Sequence, residues 1–394
     1  MDPPGTSRAE TVPTRYTLVA DATAFDIMME TLLPAARMAI DIEADSLYHY
    51  FDKVCLIQIS TESHTFVLDP LAVKDLGTLG PLMADPSVEK VFHAAGYDIF
   101  CLRRDYGFTF SRLFDTHVAA QLLGYEHLGL SALMESQLNI AHSKRRQRDD
   151  WSRRPLDPEQ LDYAAMDTHH LLRLRDVLEE QLTGKGRLPW AMEEFEVSAQ
   201  GGASEQEFDV EGYRRIKGSR DLSLQELAVL RQLYLLRDRY ARDMDLPPFK
   251  VINNPVLIGL ARNPPGSARE MFRRPGISFR IARKYATEIF RTIDKARRED
   301  PSHLTTAPRK EWKAPSREAR TRLEYLKRWR QAKAAELQLQ IGVVFPGSLL
   351  EQLSACPPAD ITALERFDGM RRWRVREFGA DILKALHDVP ARQE

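Results

Sequence analysis

Cysteine is scarce in this sequence: Cys55, Cys101 and Cys356 are the only thiols in 394 residues. Odd in number, far apart and without metal-ligand spacing, they exclude a disulfide framework and a structural zinc site. A reducing compartment is the expectation. Long hydrophobic runs are missing as well. No stretch approaches the roughly 18 to 20 apolar residues that span a bilayer, and the opening MDPPGTSRAE lacks the apolar centre of a secretory signal. A soluble, cytoplasmic protein without a membrane partner is expected. There is no glycine-rich phosphate loop ending in lysine and no helicase segment, which excludes a nucleotide-driven motor.

Net charge is also nearly absent, at −1, but this balance hides two opposed halves. Residues 1–200 hold 19 Lys and Arg against 31 Asp and Glu, a net of −12; residues 201–394 hold 37 against 26, a net of +11. Acids concentrated in one half suit cation binding, and bases in the other suit a polyanion, because phosphate neutralisation dominates nucleic-acid affinity. At 43% hydrophobic and 29% charged, the chain is globular and longer than one core usually serves, so two or three domains are expected.

The first half alternates β-branched runs with helical spacing. Tyr16–Ala20, Met38–Glu43, Val54–Ser60, Thr65–Leu68 and Lys90–Phe92 read as strands; Tyr97–Asp105, Thr116–Leu123, Leu130–Gln137 and Pro158–Glu180 read as helices. This pattern predicts an α/β domain with a mixed central sheet. The small-residue stretch Ser198–Ser204 reads as a domain boundary after which no strand pattern appears. Leucines at 224, 227, 230 and 233, with short helices at Val256–Ala261, Ser267–Phe272 and Ile277–Phe290, predict a helical domain; a basic, proline-bearing linker at Asp300–Ser316 precedes a second helical block. A cut after about Gly201 would then leave an independent α/β domain.

Three segments carry acids in patterns that suggest chemistry. The strand ending Asp41-Ile42-Glu43 places two carboxylates on one face, where they repel unless one is protonated or a hard cation such as Mg²⁺ or Mn²⁺ lies between them. Asp45 falls beyond the strand. After the strand ending at His93, a small-residue turn leads into a helix whose first turn holds Asp98, a position that also suits the helix dipole. Tyr163 and Asp167, four residues apart, share a helical face, whereas Asp162 points elsewhere; His169 and His170 receive no role.

Together the segments resemble the DEDDy branch of the DnaQ-like 3′→5′ exonucleases, and ribonuclease D in particular. The family's Lys-x-x-Gln-x-x-Asp-Trp-x-x-Arg-Pro-Leu pattern stands here as Lys144, Gln147, Asp150, Trp151, Arg154, Pro155 and Leu156, followed by Gln160, Leu161, Tyr163 and Asp167. One departure is Asp149, where the family commonly has a small hydroxyl residue. The leucines from 224 to 233, Arg237-Asp238, Asp245 to Lys250 and Pro275-Gly276-Ile277 resemble an HRDC domain, and Trp329-Arg330, Gly369 to Trp373 and Glu377-Phe378-Gly379 resemble the degenerate second one of bacterial ribonuclease D.

The resemblance implies a ribonuclease H-like exonuclease domain at 1–200, an HRDC domain at 211–298 and a second HRDC-like domain at 315–394. It implies 3′→5′ hydrolysis of RNA to nucleoside 5′-monophosphates, in transfer-RNA 3′ processing, with Asp41, Glu43, Asp98 and Asp167 holding two Mg²⁺ or Mn²⁺ ions. Tyr163, with an ordinary pKa near 10, is implied as an orienter of the attacking water. Ile42 and Ala44, through their backbone, and Lys144 and Arg148, from the basic cluster that includes Arg145 and Arg146, are candidate substrate contacts. Trp329 and Trp373 are candidates to stack single-stranded RNA. A DNA-directed exonuclease and a catalytically dead nucleic-acid-binding scaffold are the competing readings, and no protein partner is inferable.

Overall fold

The computed structural model describes residues 15–143, 145–201, 208–304 and 316–387, the side chain of residue 303 excepted. The chain divides into two compact units: Met1–Glu43 with Val54–Ser204 and Lys313–Glu394, and Ala44–Lys53 with Glu205–Trp312.

The first unit is built on a six-stranded mixed sheet in the order β1-β4-β3-β2-β5-β6. The strands are β1 Thr17–Val19, β2 Arg37–Ala44, β3 Val54–Ser60, β4 Thr65–Leu68, β5 Glu89–Phe92 and β6 Leu113–Asp115. The five expected strands recur within one residue at each end; β6 is the addition. Every position of β3 is buried, which suits a strand covered on both faces. β3 and β4 run antiparallel, while β5 is parallel to both β2 and β6. Ala39 pairs with Val91 and Phe92 with Asp115, so β2, β5 and β6 all end at one edge of the sheet. In such sheets the carboxyl ends of parallel strands are where ligands bind.

Helices cover the sheet. The expected helix over Pro158–Glu180 is two, Pro158–His169 and Leu171–Gly184, divided at His170. The first begins with a capping box in which Asp157 accepts from the Gln160 N–H and the Gln160 side chain accepts in return. The expected boundary also moves, because the helix Leu188–Gln200 runs through Ser198 to Gln200, and residues 202–207 lie outside the described ones.

The C-terminal helices Arg317–Leu337, Gly347–Ala355 and Arg372–His387 share one hydrophobic core with the sheet and its helices. Trp373 is wholly buried, stacked on Trp190 at 4.6 Å, and its indole N–H donates to Glu194 at 2.9 Å. Glu193 accepts the backbone N–H of Trp373 at 2.9 Å. Trp373 is therefore a core residue and no platform for RNA, and half-buried Trp329 packs edge-on against Phe345 and Phe378.

The second unit is helical, with Leu224–Met244, Asn254–Arg262 and Phe279–Arg298 around a core that includes Leu230, Leu233, Tyr240 and Ile289. A loop from early in the chain completes it. Tyr50 packs against this core and its hydroxyl donates to Asp238 at 2.7 Å. Asp245 caps Leu224–Met244 in the left-handed region (φ 46°); its carboxylate pairs with the His49 ring at 2.7 Å and accepts the Tyr50 N–H at 3.0 Å. Among the described residues, no helix is long and apolar enough to cross a membrane.

Candidate active site

Asp41 and Glu43 occupy the last residues of β2, two apart and so on one face of the sheet. Ile42 between them turns into the hydrophobic core, which leaves only its backbone for a substrate. Helix Pro158–His169 packs beside β3 and β4 and brings Asp167 to the same place: ligand oxygens of Asp41, Glu43 and Asp167 lie within 4.8 Å of one another. Asp98 falls outside that triplet but adjoins it, close enough for its charge to raise the proton affinity of Asp41 and Glu43.

A turn of unusual backbone delivers Asp98. Ala94 lies in the left-handed region at φ 62°, and the chain then enters helix Gly96–Tyr106 with Asp98 in its first turn. Asp115, at the end of β6, holds the turn by accepting the N–H groups of Ala94 and Ala95 at 2.9 and 3.0 Å. The same carboxylate caps helix Thr116–Leu123 through the N–H groups of His117 and Val118. Neighbouring strand ends thus fix both the acid and its approach.

The electrostatics are those of an unneutralised cluster. Burial first, then the charges of Asp98, Asp167 and Glu43, push the Asp41 carboxyl well above the usual carboxylate range. Glu43 is raised by burial and by Asp167, Asp98 and Asp149; Asp98 is raised by burial, Asp115 and Asp167. Asp167 is raised by burial, against the opposing pull of His142. Three clustered carboxylates with oxygen donors and a fourth beside them fit a hard divalent cation, which would replace this repulsion with attraction.

Tyr163 lies one turn before Asp167 on the same helix, with its ring between those of His142 (5.6 Å) and Trp151 (6.0 Å). Burial and then the charges of Asp167, Glu43, Asp41 and Asp149 raise its phenol far above the ordinary value. It stays protonated near neutral pH. His142 is a site residue that the sequence pattern does not single out. Its Nε2 is 2.6 Å from Asp167 Oδ1 in a nearly buried contact. It lies in an irregular polar stretch, where spacing carries no signal.

Other motif residues serve the scaffold. Arg154 makes a two-pronged pair with Asp69 at 2.6 and 2.8 Å and donates to the Cys55 carbonyl at 2.9 Å, tying the Trp151 segment to β3 and β4. Arg146 bonds Asp149 at 3.1 Å and also pairs with Glu159, so this member of the basic cluster is engaged with acids. Arg148 is exposed, Ala44 is half-buried at the end of β2, and Lys144 lies outside the described residues. Asp162 is exposed, and His169 bonds Thr65 at 2.8 Å. Asp149, the departure from the family pattern, is close enough to the cluster to raise Glu43 and Tyr163.

Comparison with known proteins gives the family and the fold. Residues 16–183 match a 3′-5′ exonuclease family, and residues 226–293 and 319–386 each match the HRDC domain. The chain is 30% identical over 365 residues to a ribonuclease D of Gluconacetobacter diazotrophicus, covering 92% of this chain and 90% of that one. The solved catalytic core of RRP6 from Trypanosoma brucei is similar at 28% identity and a TM-score of 0.67, across 73% of this chain and 81% of that one. Escherichia coli RNase D shares the fold at 23% identity and a TM-score of 0.68, over 96% and 100% of the two chains.

Proposed function

Since the chain belongs to the ribonuclease D family and is a 3′→5′ exoribonuclease of a divalent-metal-dependent class, we propose that it trims the 3′ ends of transfer-RNA precursors by two-metal-ion hydrolysis. The observation that carries the reading is the convergence of Asp41, Glu43 and Asp167 within 4.8 Å, with Asp98 beside them and Tyr163 one helical turn from Asp167. Asp41, Glu43, Asp98 and Asp167 would hold the Mg²⁺ or Mn²⁺ ions. Bound ions lower the pKa of water and stabilise the leaving 3′-oxygen, which side chains alone do poorly near neutral pH.

The protein's own groups supply position. Tyr163, clamped between two rings and held protonated, donates its hydroxyl to the attacking water or to the phosphate it attacks. His142 fixes one oxygen of Asp167 and so orients the carboxylate that would bind the cation. Ile42 and Ala44 offer backbone contacts to the terminal nucleotide, and Lys144 and Arg148 attract the phosphates behind it. The modules are residues 1–200, 211–298 and 315–394, the last folded onto the first.

The test is a time course on 5′-labelled and 3′-labelled RNA, on the same sequence as DNA, and on a transfer-RNA precursor with a 3′ trailer, each with Mg²⁺, Mn²⁺ or EDTA. A descending ladder from the 3′ end, release of 5′-monophosphates, silence in EDTA and trailer removal are expected. An intact trailer where unstructured RNA is consumed would exclude the transfer-RNA assignment.

Two variants test the roles. Tyr163→Phe is expected to lower kcat about 10²-fold with little change in KM, because its hydrogen bond is used in the transition state; reduced affinity at unchanged kcat would make it a binding residue. His142→Leu is expected to weaken Mn²⁺ binding, followed by titration calorimetry, by about 10- to 100-fold, and His142→Gln to restore much of it by placing an N–H donor where Nε2 stood. Equal Mn²⁺ affinity in all three proteins would remove His142 from the site.

A further inference from the structure

The arginines of the helical unit are mostly engaged: Arg215 with Asp209, Arg239 with Glu288, Arg242 with Asp238 and Arg274 with Glu270. Arg220, Arg291 and Arg297 depart from this pattern, as do four more that lie close together in the sequence. Arg269, Arg273, Arg280 and Arg283 are exposed, and none has an acidic partner among the described residues. They cluster in sequence around two phenylalanines that also remain in solvent, Phe272 at 46% and Phe279 at 71% exposure.

Local structure brings these residues together. Ala268–Arg273 is a 3₁₀ helix, whose three-residue repeat aligns Arg269 with Phe272. Phe279 and Arg283, four apart at the start of Phe279–Arg298, share a face of that helix. Between them the chain turns at Gly276, where φ is 82° and an added Cβ would come within 2.4 Å of Val256, so only glycine fits. The turn sets the Phe272 and Phe279 rings 5.9 Å apart, inclined at 60°. Their faces therefore cannot both be satisfied by each other.

We propose that this surface is a binding platform for the unpaired bases and phosphates of single-stranded RNA. It rests on the reading of the chain as an RNA exonuclease and adds where, outside the hydrolytic site, the polymer is held. Exposed rings offer stacking faces to any base without reading sequence, and unpaired guanidiniums, which themselves stack, meet the phosphates between bases. An acidic protein surface would use the cations but not the two solvent-facing rings, which is why RNA is the occupant the residues favour. This platform replaces the one expected at Trp329 and Trp373.

The experiment uses the full chain in EDTA and a 5′-fluorescein oligoadenylate, with anisotropy read across a salt series. Phe272→Ala and Phe279→Ala are each expected to weaken binding roughly 5- to 150-fold, while Phe279→Trp stays near the parent. Arg273→Ala with Arg280→Ala should flatten the slope of log K against log salt by about 0.7 for each phosphate that is no longer neutralised. Blunt duplex RNA and polyglutamate should compete poorly. Melting temperatures should hardly move, since all the altered side chains are exposed, and a trinucleotide should be cleaved in Mg²⁺ equally by all variants. Unchanged affinity on removal of both rings, or equal competition by polyglutamate, would overturn the platform while leaving the exonuclease reading intact. Absence of hydrolysis in the parent protein would instead overturn that underlying reading.

Discussion

Replacing Asp41, Glu43, Asp98 or Asp167 by its amide is expected to slow hydrolysis by at least about 10²- to 10³-fold, the scale on which removing one preorganised electrostatic group slows a reaction whose transition state it stabilises. The same variants should melt above the parent in EDTA. Each acid holds protons more tightly in the folded protein than in the unfolded one, so folding takes up protons once pH exceeds the ordinary carboxylate value of about 4. Stability of the metal-free protein must then fall as pH rises through the raised folded values, and an amide removes one contributor to that fall. Added Mg²⁺ should reverse it, raising the parent's melting temperature with concentration and flattening the pH dependence. Melts at pH 6 and 8, with EDTA or Mg²⁺, measure both effects. An amide series that melts below the parent in EDTA, or a metal-free parent more stable at pH 8, would contradict the charge cluster.

Truncation after Gly201 is expected to yield an unfolded or aggregating protein, contrary to what the linker-like composition around that residue suggests. The cut removes Trp373, Phe378, Ile382, Leu349, Leu350 and Leu353 from a core they share with Trp190 and Phe195, and leaves Glu193 and Glu194 without their partners. Large aromatic truncations in cores cost about 3 to 5 kcal/mol each, so the removed set exceeds the roughly 5 to 15 kcal/mol that holds a domain folded. Trp373→Ala in the full chain is the milder form, expected to lower stability by about 3 to 5 kcal/mol. Circular dichroism and thermal melts of both proteins provide the measurement. A cooperative melt from the truncated chain near the parent's temperature would show that the core closes without its terminal helices.

Much of the site is legible in the sequence because its signals are local. Asp41 and Glu43 end a hydrophobic strand, Tyr163 and Asp167 sit one helical turn apart, and Asp98 follows a small-residue turn. What the sequence hides depends on partners distant in the chain. β6 is only Leu113–Asp115, too short to show alternation, yet Asp115 holds the turn before Asp98. His142 becomes meaningful only once Asp167, 25 residues later, arrives beside it. Trp373 looks available because a tryptophan among arginines reads as surface; its burial follows from Trp190 and Glu194. Helix Ala22–Leu32 is a different case. Asp21 caps it, and Phe25, Met28, Met29 and Leu32 recur at helical spacing, so its signal is present in the sequence although the expected elements do not include it.

Tyr50 belongs to the loop that completes the helical unit, but its partner Asp238 lies 188 residues further along the chain. On a ribosome adding about 5 to 20 residues per second, the loop leaves the tunnel roughly 10 to 40 s before that partner exists. The helical unit is thus finished by a segment made far earlier. During that interval Tyr50, His49 and the segment they belong to wait without Asp238 or Asp245, directly after the strand that carries Asp41 and Glu43. The order of synthesis therefore delays completion of the helical unit's core until the helices of Glu205–Trp312 have emerged.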